Sequence, residues 1–335
     1  MNIPSPARCN HSLAGGFTLI ELMIAMVLGM IVVGGALAIF SSNKETYLST
    51  ENLGRIEENG RVAFELMARE IREAGGNACA KNLPVANILN SPGSNWWSNW
   101  NDPIKGYGGT DTLGMPAFGT ATGQRVSGTD AIELKSTYDS GVTLVNQPSA
   151  TSADFKVSAL GGLQAADVVL VCDYRQATIL QVTTTNANTV TVTHNTGNVV
   201  SPGNCSKGMG FPTLCTTNGN PYVFAPNAVI ARMHATRWYI GVNSRGGQSL
   251  YQSVETGGAL VPQEIAEGVT GMQLQYLLQG ASDYVSAASV GATNWKGVLA
   301  VRLNLTLQGH DKVGSNGAVL TRQVQHIVTL RNRAS

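Results

Sequence analysis

The sequence predicts an α+β protein, in which one long N-terminal helix packs on a large antiparallel β-rich head and spans a membrane with its first half. Two observations predict this fold. An apolar segment of helical length stands near the N-terminus, and an amphipathic segment follows it without a break. Most of the remaining chain consists of alternating, β-branched runs separated by turn residues. The 335 residues include 38 glycines and 13% charged residues, a composition that favours many turns over a helical bundle.

The first element is the apolar segment 17–40, FTLIELMIAMVLGMIVVGGALAIF. At about 1.5 Å per residue it forms a helix of about 36 Å, enough to cross a hydrocarbon core of about 30 Å. An ordinary secretory signal peptide is the alternative, but its apolar region is shorter and is followed by the cleavage site. Here a polar segment ending in glycine comes first, which favours a membrane-spanning helix.

Glu21 is the one ionisable residue in this segment. A carboxylate at the centre of a membrane helix costs about 2.5–3.5 kcal/mol, so it usually has a partner or a function. Cleavage after Gly16 would place the new α-amine of Phe17 one helical turn away from it. We expect these two charges to pair, within one chain or between neighbours; an unpaired glutamate near the membrane surface is the alternative.

The string GGFTLIELMIAM, residues 15–26, resembles the class III signal of type IV prepilins. The resemblance implies that a prepilin peptidase removes residues 1–16 as a leader by cutting after Gly16. It also implies that the enzyme N-methylates Phe17, and that Glu21 guides assembly by meeting the N-terminal amine of a neighbouring subunit.

The helix is expected to continue to residue 75, with 41–75 as its amphipathic half. Apolar residues recur at helical spacing from Leu53 to Ala74, and the pair Gly75-Gly76 supplies a stop. Major pilins of the resembling family often carry a mid-helix proline, whereas none occurs here between Pro6 and Pro84. We interpret the apolar stripe as a face that packs on the head.

The cysteine count predicts disulfides. Cys9 belongs to the expected leader, which leaves four cysteines, an even number that suits an oxidising compartment. We expect Cys205 to pair with Cys215, which closes a short loop, and Cys79 to pair with Cys172 by default. Four free buried thiols are the alternative.

Residues 76–335 are expected to form the head, as one sheet system or as two lobes with a boundary near 195–225. Residues 84–128 are rich in Gly, Pro, Asn and Ser. We expect them to form a long connection before the first strand, which we call the excursion. The predicted strands are Ala131–Ser136, Val142–Val145, Asp167–Cys172, Thr178–Thr184, Thr189–Thr193, Val229–Val242, Ser249–Val254, Val269–Leu278, Val298–Leu307 and Val319–Leu330.

Trp96, Trp97 and Trp100 stand close together in the excursion. One interpretation is a contact surface for a partner subunit, an adhesin or a sugar. The other, which we favour, is that the three rings hold the loop on the sheet, because large aromatic side chains are usually buried.

A broader resemblance extends from about Glu65 to Arg333. The runs ELMAREIREAGGNAC, GTDAIEL, ADVVLVCDYRQATILQV, RWYIGV, LYQSV, GVTGMQLQY, VLAVRLNLTL and HIVTLRNR occur in the order of the blocks of PilW-type minor pilins. The resemblance implies a low-abundance pilin near the tip of a pilus at the cell surface. Before assembly, its helix would be anchored in the bacterial inner membrane and its head would lie in the periplasm. Its implied partners are other minor pilins, the major pilin, the prepilin peptidase, the inner-membrane assembly platform and a tip adhesin.

The sequence indicates no enzyme and no cofactor. It contains no G-x-S-x-G, P-loop or H-E-x-x-H motif. His194, Cys205, Cys215 and His234 match no compact zinc spacing, so no metal site is predicted. The net charge of +1 does not directly indicate a nucleic acid partner. The alternatives to a pilus subunit are a minor pseudopilin of a type II secretion system and a pilus-borne module that binds a ligand through the tryptophan loop.

Overall fold

The structure is a computed structural model that describes residues 16, 18–76, 78–79, 83–100, 102–112, 116–256, 259–314 and 317–333. Phe17 and the expected leader before Gly16 lie outside the described residues. The elements are α1 (Leu19–Glu73), β1 (Val85–Asn87), β2 (Ile104–Tyr107), β3 (Ala131–Asn146), β4 (Asp154–Val157), β5 (Val168–Cys172), β6 (Ala177–Gln181), β7 (Thr184–Asn186), β8 (Thr191–Thr193), β9 (Val229–Val242), β10 (Gln248–Thr256), β11 (Ala259–Glu267), β12 (Val269–Leu278), β13 (Tyr284–Val285), α2 (Ala287–Val290), a 3-10 turn (Trp295–Gly297), β14 (Val298–Gln308) and β15 (Thr321–Thr329).

The long helix α1 is continuous over 55 residues and has two different halves. Side chains from Leu19 to Tyr47 are exposed, whereas the second half buries a stripe at helical spacing. This stripe is Ile56, Gly60, Ala63, Met67 and Ile71. The stripe follows the expected amphipathic pattern, since positions three and four apart share one face.

The end of α1 is set by a glycine in the left-handed region. Gly75 has φ +72°, a conformation that favours glycine and ends a helix. Its N–H donates to the carbonyl of Lys135, so the first residues after α1 are hydrogen-bonded to β3.

Two sheets form the head, and the second half of α1 packs on both. One sheet has the order β13-β12-β14-β15; the other has eleven strands along the path β1-β6-β5-β9-β3-β4-β8-β7, with β10, β11 and β2 attached. Every strand pair is antiparallel except β1 with β6. The largest core contains Met67 and Ile71 of α1, Trp238 of β9 and Leu303 of β14. The predicted α+β fold class is confirmed.

The long strands β3 and β9 carry the chain past the end of α1. The Thr137 N–H donates to the carbonyl of Gly76, beside the helix end, and β3 continues from there to Asn146. Val142 and Leu144 on this continuation enter a second core. We call β4 to β8, with the adjoining ends of β3 and β9, the distal lobe.

Several strand expectations differ from the structure. The two strands predicted at Ala131–Ser136 and Val142–Val145 are one strand, β3, because a bulge between Asp139 and Val142 keeps both parts paired with β9. The excursion 84–128 contains the short strands β1 and β2, and the strands β4, β7, β11 and β13 were not predicted. Short strands and an edge strand containing a proline carry weak periodic signals.

Candidate functional site

The first half of α1 presents an apolar surface that no other part of the described chain covers. Exposed fractions of its large apolar side chains between Leu19 and Phe40 run from 53% at Leu22 to 77% at Leu19. By length and composition, α1 is a helix in the described chain that could cross a membrane. Such a surface is stable only in lipid or against other apolar helices.

Glu21 lies in a capping box at the start of this helix. The Thr18 N–H donates to Glu21 Oε2 at 3.0 Å and the Thr18 hydroxyl donates to the same oxygen at 2.9 Å. In return, the Glu21 N–H donates to Thr18 Oγ1 at 3.3 Å. The carboxylate is thereby held at the positive end of the helix dipole, on the side where a cleaved N-terminus would begin.

Sequence reasoning singled out Glu21 but not Thr18, although the T-x-x-E spacing is the signature of a capping box. Gly16 is exposed, and a Cβ built on it meets no atom within 4 Å. Among the described residues, therefore, no contact requires glycine at this position. A requirement for glycine would have to come from an enzyme that binds the segment.

Glu70 connects α1 to the large sheet through a buried hydrogen-bond network. Its Oε2 accepts from the Thr236 hydroxyl and from the Trp238 indole N–H, both at 2.6 Å. Its Oε1 accepts from the amide of Gln252 and lies 3.5 Å from His234 Nε2. Sequence reasoning missed Glu70, because a charged residue in an amphipathic helix is ordinarily taken as solvent-facing.

Asn52 connects α1 to the loop between β14 and β15. Its Oδ1 accepts from the N–H groups of His310 and Asp311 at 3.1 and 3.3 Å, and its Nδ2 donates to Asp311 Oδ2 at 3.0 Å. The bonds from Asn52 and His310 lower the pKa of the Asp311 carboxyl. Asn52 and Glu70 thus fasten the second half of α1 to the head near both of its ends.

The tryptophan loop lies on the sheet. Trp97 is 7% exposed, and Trp96 and Trp100 are half-buried against the same small core, which also contains Met233 and Cys172. The Arg237 guanidinium stands 4.1 Å from the centre of the Trp96 ring. The loop therefore has most of its aromatic surface committed to packing.

Beneath this loop, three charged side chains are buried together. Glu133 accepts from Arg237 through Nε at 2.9 Å and Nη2 at 2.8 Å, and Lys135 Nζ lies 3.8 Å from Glu133. Burial lowers the pKa of Lys135 to about 8, although Glu133 opposes the shift. Because Trp96 covers these three charged side chains, we assign the cluster a structural role.

The structure forms two disulfides, Cys79–Cys172 and Cys205–Cys215, with Cα–Cα distances of 6.1 and 5.0 Å. The first ties the segment after α1 to β5, and the second closes a loop in the connection between β8 and β9. Cys205 and Cys215 are therefore not available as thiolate ligands for zinc. Across the residues that the structure describes, no group of three or more His, Cys, Asp and Glu side chains could hold a metal ion.

Two family models match the chain. Residues 12–37 match the prokaryotic N-terminal methylation motif, and residues 237–330 match Type IV Pilus-assembly protein W. The second match runs from the middle of β9 to the end of β15, which are the strands around the second half of α1. Neither the curated proteins nor the solved structures contain a significant match.

Proposed function

We propose that this chain, a PilW-type type IV pilin by its two family matches, is a minor pilin that takes part in initiating and assembling a type IV pilus near its tip. The observation that carries the proposal is the exposed apolar half of α1 with its capped carboxylate. A helix of this kind needs a membrane before assembly and a bundle of similar helices afterwards.

Glu21 supplies the contact that directs assembly in this proposal. Cleavage after Gly16 creates a positive amine on Phe17, close to the carboxylate that Thr18 now holds. In an apolar bundle, an amine of a neighbouring subunit would replace one of the hydrogen bonds from Thr18. A charged pair buried in a low-dielectric layer is favoured over two separate buried charges, so only the register that joins them is stable.

The attachment of α1 to the head supports a subunit whose helix and head move together. Asn52 and Glu70 bond to the head at separate points along the helix. A subunit drawn from the membrane by its helix would therefore move its head with it.

The position near the tip enters this proposal through the resemblance to PilW-type minor pilins. The distal lobe has a core of its own, which includes Val142 and Leu144 and is separate from the core that α1 joins. This lobe therefore offers a surface for a partner other than the pilins that pack on α1. Before assembly, the helix would anchor the chain in the inner membrane, with the head in the periplasm.

Four classes of partner follow from this role. The prepilin peptidase would process Gly16-Phe17, and the inner-membrane assembly platform would receive the mature chain. Other minor pilins and the major pilin would pack on α1, and a tip adhesin would meet the distal lobe.

The packing of the tryptophan loop supports a structural role for that loop over ligand binding.

The test compares Glu21→Ala with Glu58→Ala, an exposed glutamate on the same helix. Both variants should be cleaved to the mature size, but only Glu21→Ala should reduce surface pili and disappear from sheared filaments. Intact mass of the wild-type protein should give a chain that begins at methylated Phe17. Normal piliation in Glu21→Ala would refute the assembly contact.

Two further measurements separate processing and position from assembly. Gly16→Leu should block cleavage and leave a longer membrane-bound precursor. Immunogold labelling of the head should place the protein at pilus ends; labelling along the whole filament would refute the tip position and leave the pilin assignment intact.

A further inference from the structure

The outer face of the four-stranded sheet carries a polar cavity that none of the roles above uses. Met272, Leu274 and Tyr276 of β12 point into the main core beside α1. Because side chains alternate along a strand, Gln273 and Gln275 point to the opposite face. On that face lies a cavity of about 270 Å³.

The strand register builds the floor of this cavity as a grid of amide and guanidinium groups. Gln273 of β12 stands beside Asn304 of β14, which stands beside Gln325 of β15. In the next row, Gln275 stands beside Arg302. Neighbouring strands are about 4.8 Å apart, so these polar groups are close enough to contact one small molecule together.

Two polar atoms of this floor have no partner in the described structure. Nε of Arg302 and Oδ1 of Asn304 are buried and make no hydrogen bond. One is a donor and the other is an acceptor. A buried polar atom left unpaired costs about 1–3 kcal/mol in mutational series, so such a pair indicates a missing partner.

Arg302 is held in place for this role. Its guanidinium lies 4.0 Å from the centre of the Tyr284 ring, and its Nη1 donates to Gln275 Oε1 at 3.0 Å. Gln273 and Gln325 are exposed at the rim, and a change of their rotamers would bring the buried Arg302 Nε and Asn304 Oδ1 into contact with a ligand. A prearranged donor with adaptable neighbours lowers the entropy lost on binding.

The charges of the lining favour a neutral ligand over an ionic one. Asp130 and Arg302 give one negative and one positive charge, and the other polar lining side chains are amides and the Ser286 hydroxyl. A hydroxyl group both donates and accepts, as does an amide, so a neutral molecule with several hydroxyls satisfies this lining. The volume is just below the usual range of ligand cavities, about 300–1,000 Å³, which suits one sugar ring.

We propose that this cavity is a binding site for a neutral pyranose sugar, formed by Gln273, Gln275, Arg302, Asn304 and Gln325. One sugar hydroxyl accepts from Arg302 Nε and another donates to Asn304 Oδ1. The proposal stands on the cavity alone and does not depend on a role in a pilus.

The test is saturation-transfer-difference NMR on the full chain in a zwitterionic detergent without a sugar headgroup. The probes are glucose, galactose, mannose and N-acetylglucosamine, with glycerol as a simple polyol. A ligand of about 12 non-hydrogen atoms with ordinary efficiency binds with a Kd of about 1 mM. At least one sugar should show saturable binding in this range.

Asn304→Ala and Arg302→Met should each weaken that binding about tenfold, since each removes one hydrogen-bonding group. Gln323→Ala is the matched control, because Gln323 lies on β15 beside Thr306, one row outside the cavity. It should leave binding unchanged. Thermal unfolding of all three variants checks that the head is folded.

Three results would overturn the proposal. The first is no saturable binding of any of the four sugars. The second is binding that is equally strong in Asn304→Ala, Arg302→Met and the wild type. The third is glycerol binding as strong as sugar binding, which would show a site without selectivity for a ring.

Discussion

Replacing Glu70 with alanine should weaken the attachment of the C-terminal part of α1 to the large sheet. The carboxylate accepts from Thr236 and Trp238, both fully buried, and from Gln252. Alanine would leave these donors without an acceptor and would open a small cavity. Two fully buried donors left unpaired, at about 1–3 kcal/mol each, give a loss of about 4 kcal/mol in the free energy of unfolding.

The assay is urea unfolding of the full chain in detergent, followed by tryptophan emission, to which Trp238 contributes directly. With an m-value of about 3 kcal/mol/M, a loss of about 4 kcal/mol lowers the urea midpoint by about 1.3 M. Glu70→Gln keeps the shape and one acceptor oxygen, so its loss should be about half as large, roughly 2 kcal/mol.

Glu58→Ala is the control, because Glu58 is an exposed glutamate of the same helix. It should change the free energy of unfolding by less than about 0.5 kcal/mol. A midpoint for Glu70→Ala that coincides with that of Glu58→Ala would refute the reasoning. It would mean that Thr236 and Trp238 find other acceptors at no cost.

The remaining predictions concern the distal lobe and the tryptophan loop. His194 is fully buried with its pKa lowered to about 4 by burial, so protonation favours the unfolded state. Stability should be complete above pH of about 6.5 and fall by up to about 3 kcal/mol toward pH 4, and urea midpoints of His194→Leu should lack this loss. Cys79→Ala should lower the free energy of unfolding by about 5 kcal/mol, and Cys205→Ala should lower it by about 3 kcal/mol. The difference arises because the two bridges span 93 and 10 residues, and a longer loop loses more entropy when it is closed in the unfolded chain. Equal losses in calorimetry would contradict this reasoning. Trp96→Ala should lower stability by about 2–3 kcal/mol because it uncovers Arg237; unchanged thermal unfolding with lost adhesion of cells would instead favour ligand binding by the loop.

Local sequence signals predicted the helix well. The apolar run, the amphipathic stripe and the Gly75 stop are each defined by residues close together in the chain, and α1 runs from Leu19 to Glu73 against an expected 17–75. The strands β9 and β12 have the predicted bounds, since both are long runs rich in residues that favour strands.

Long-range contacts set the limit of this reasoning. Glu70 lies seven residues after Ala63, on the side of the buried stripe, but its charge argues for exposure, and only the position of Trp238 on β9 makes it a buried acceptor. The cavity between β12, β14 and β15 likewise depends on which residues the register places side by side. Neither feature could be predicted from the spacing of residues along one strand or helix.

The sequence by itself determined the elements that local chemistry controls: a membrane-length apolar segment, the single carboxylate within it and the amphipathic half of the helix. These follow from the hydropathy and charge of neighbouring residues. The tertiary structure decided how β3 and β9 join the two cores, how the tryptophan loop covers Arg237 and where Glu70 finds its donors. Those contacts join residues more than eighty positions apart in the chain, and their pairing depends on how the complete core packs.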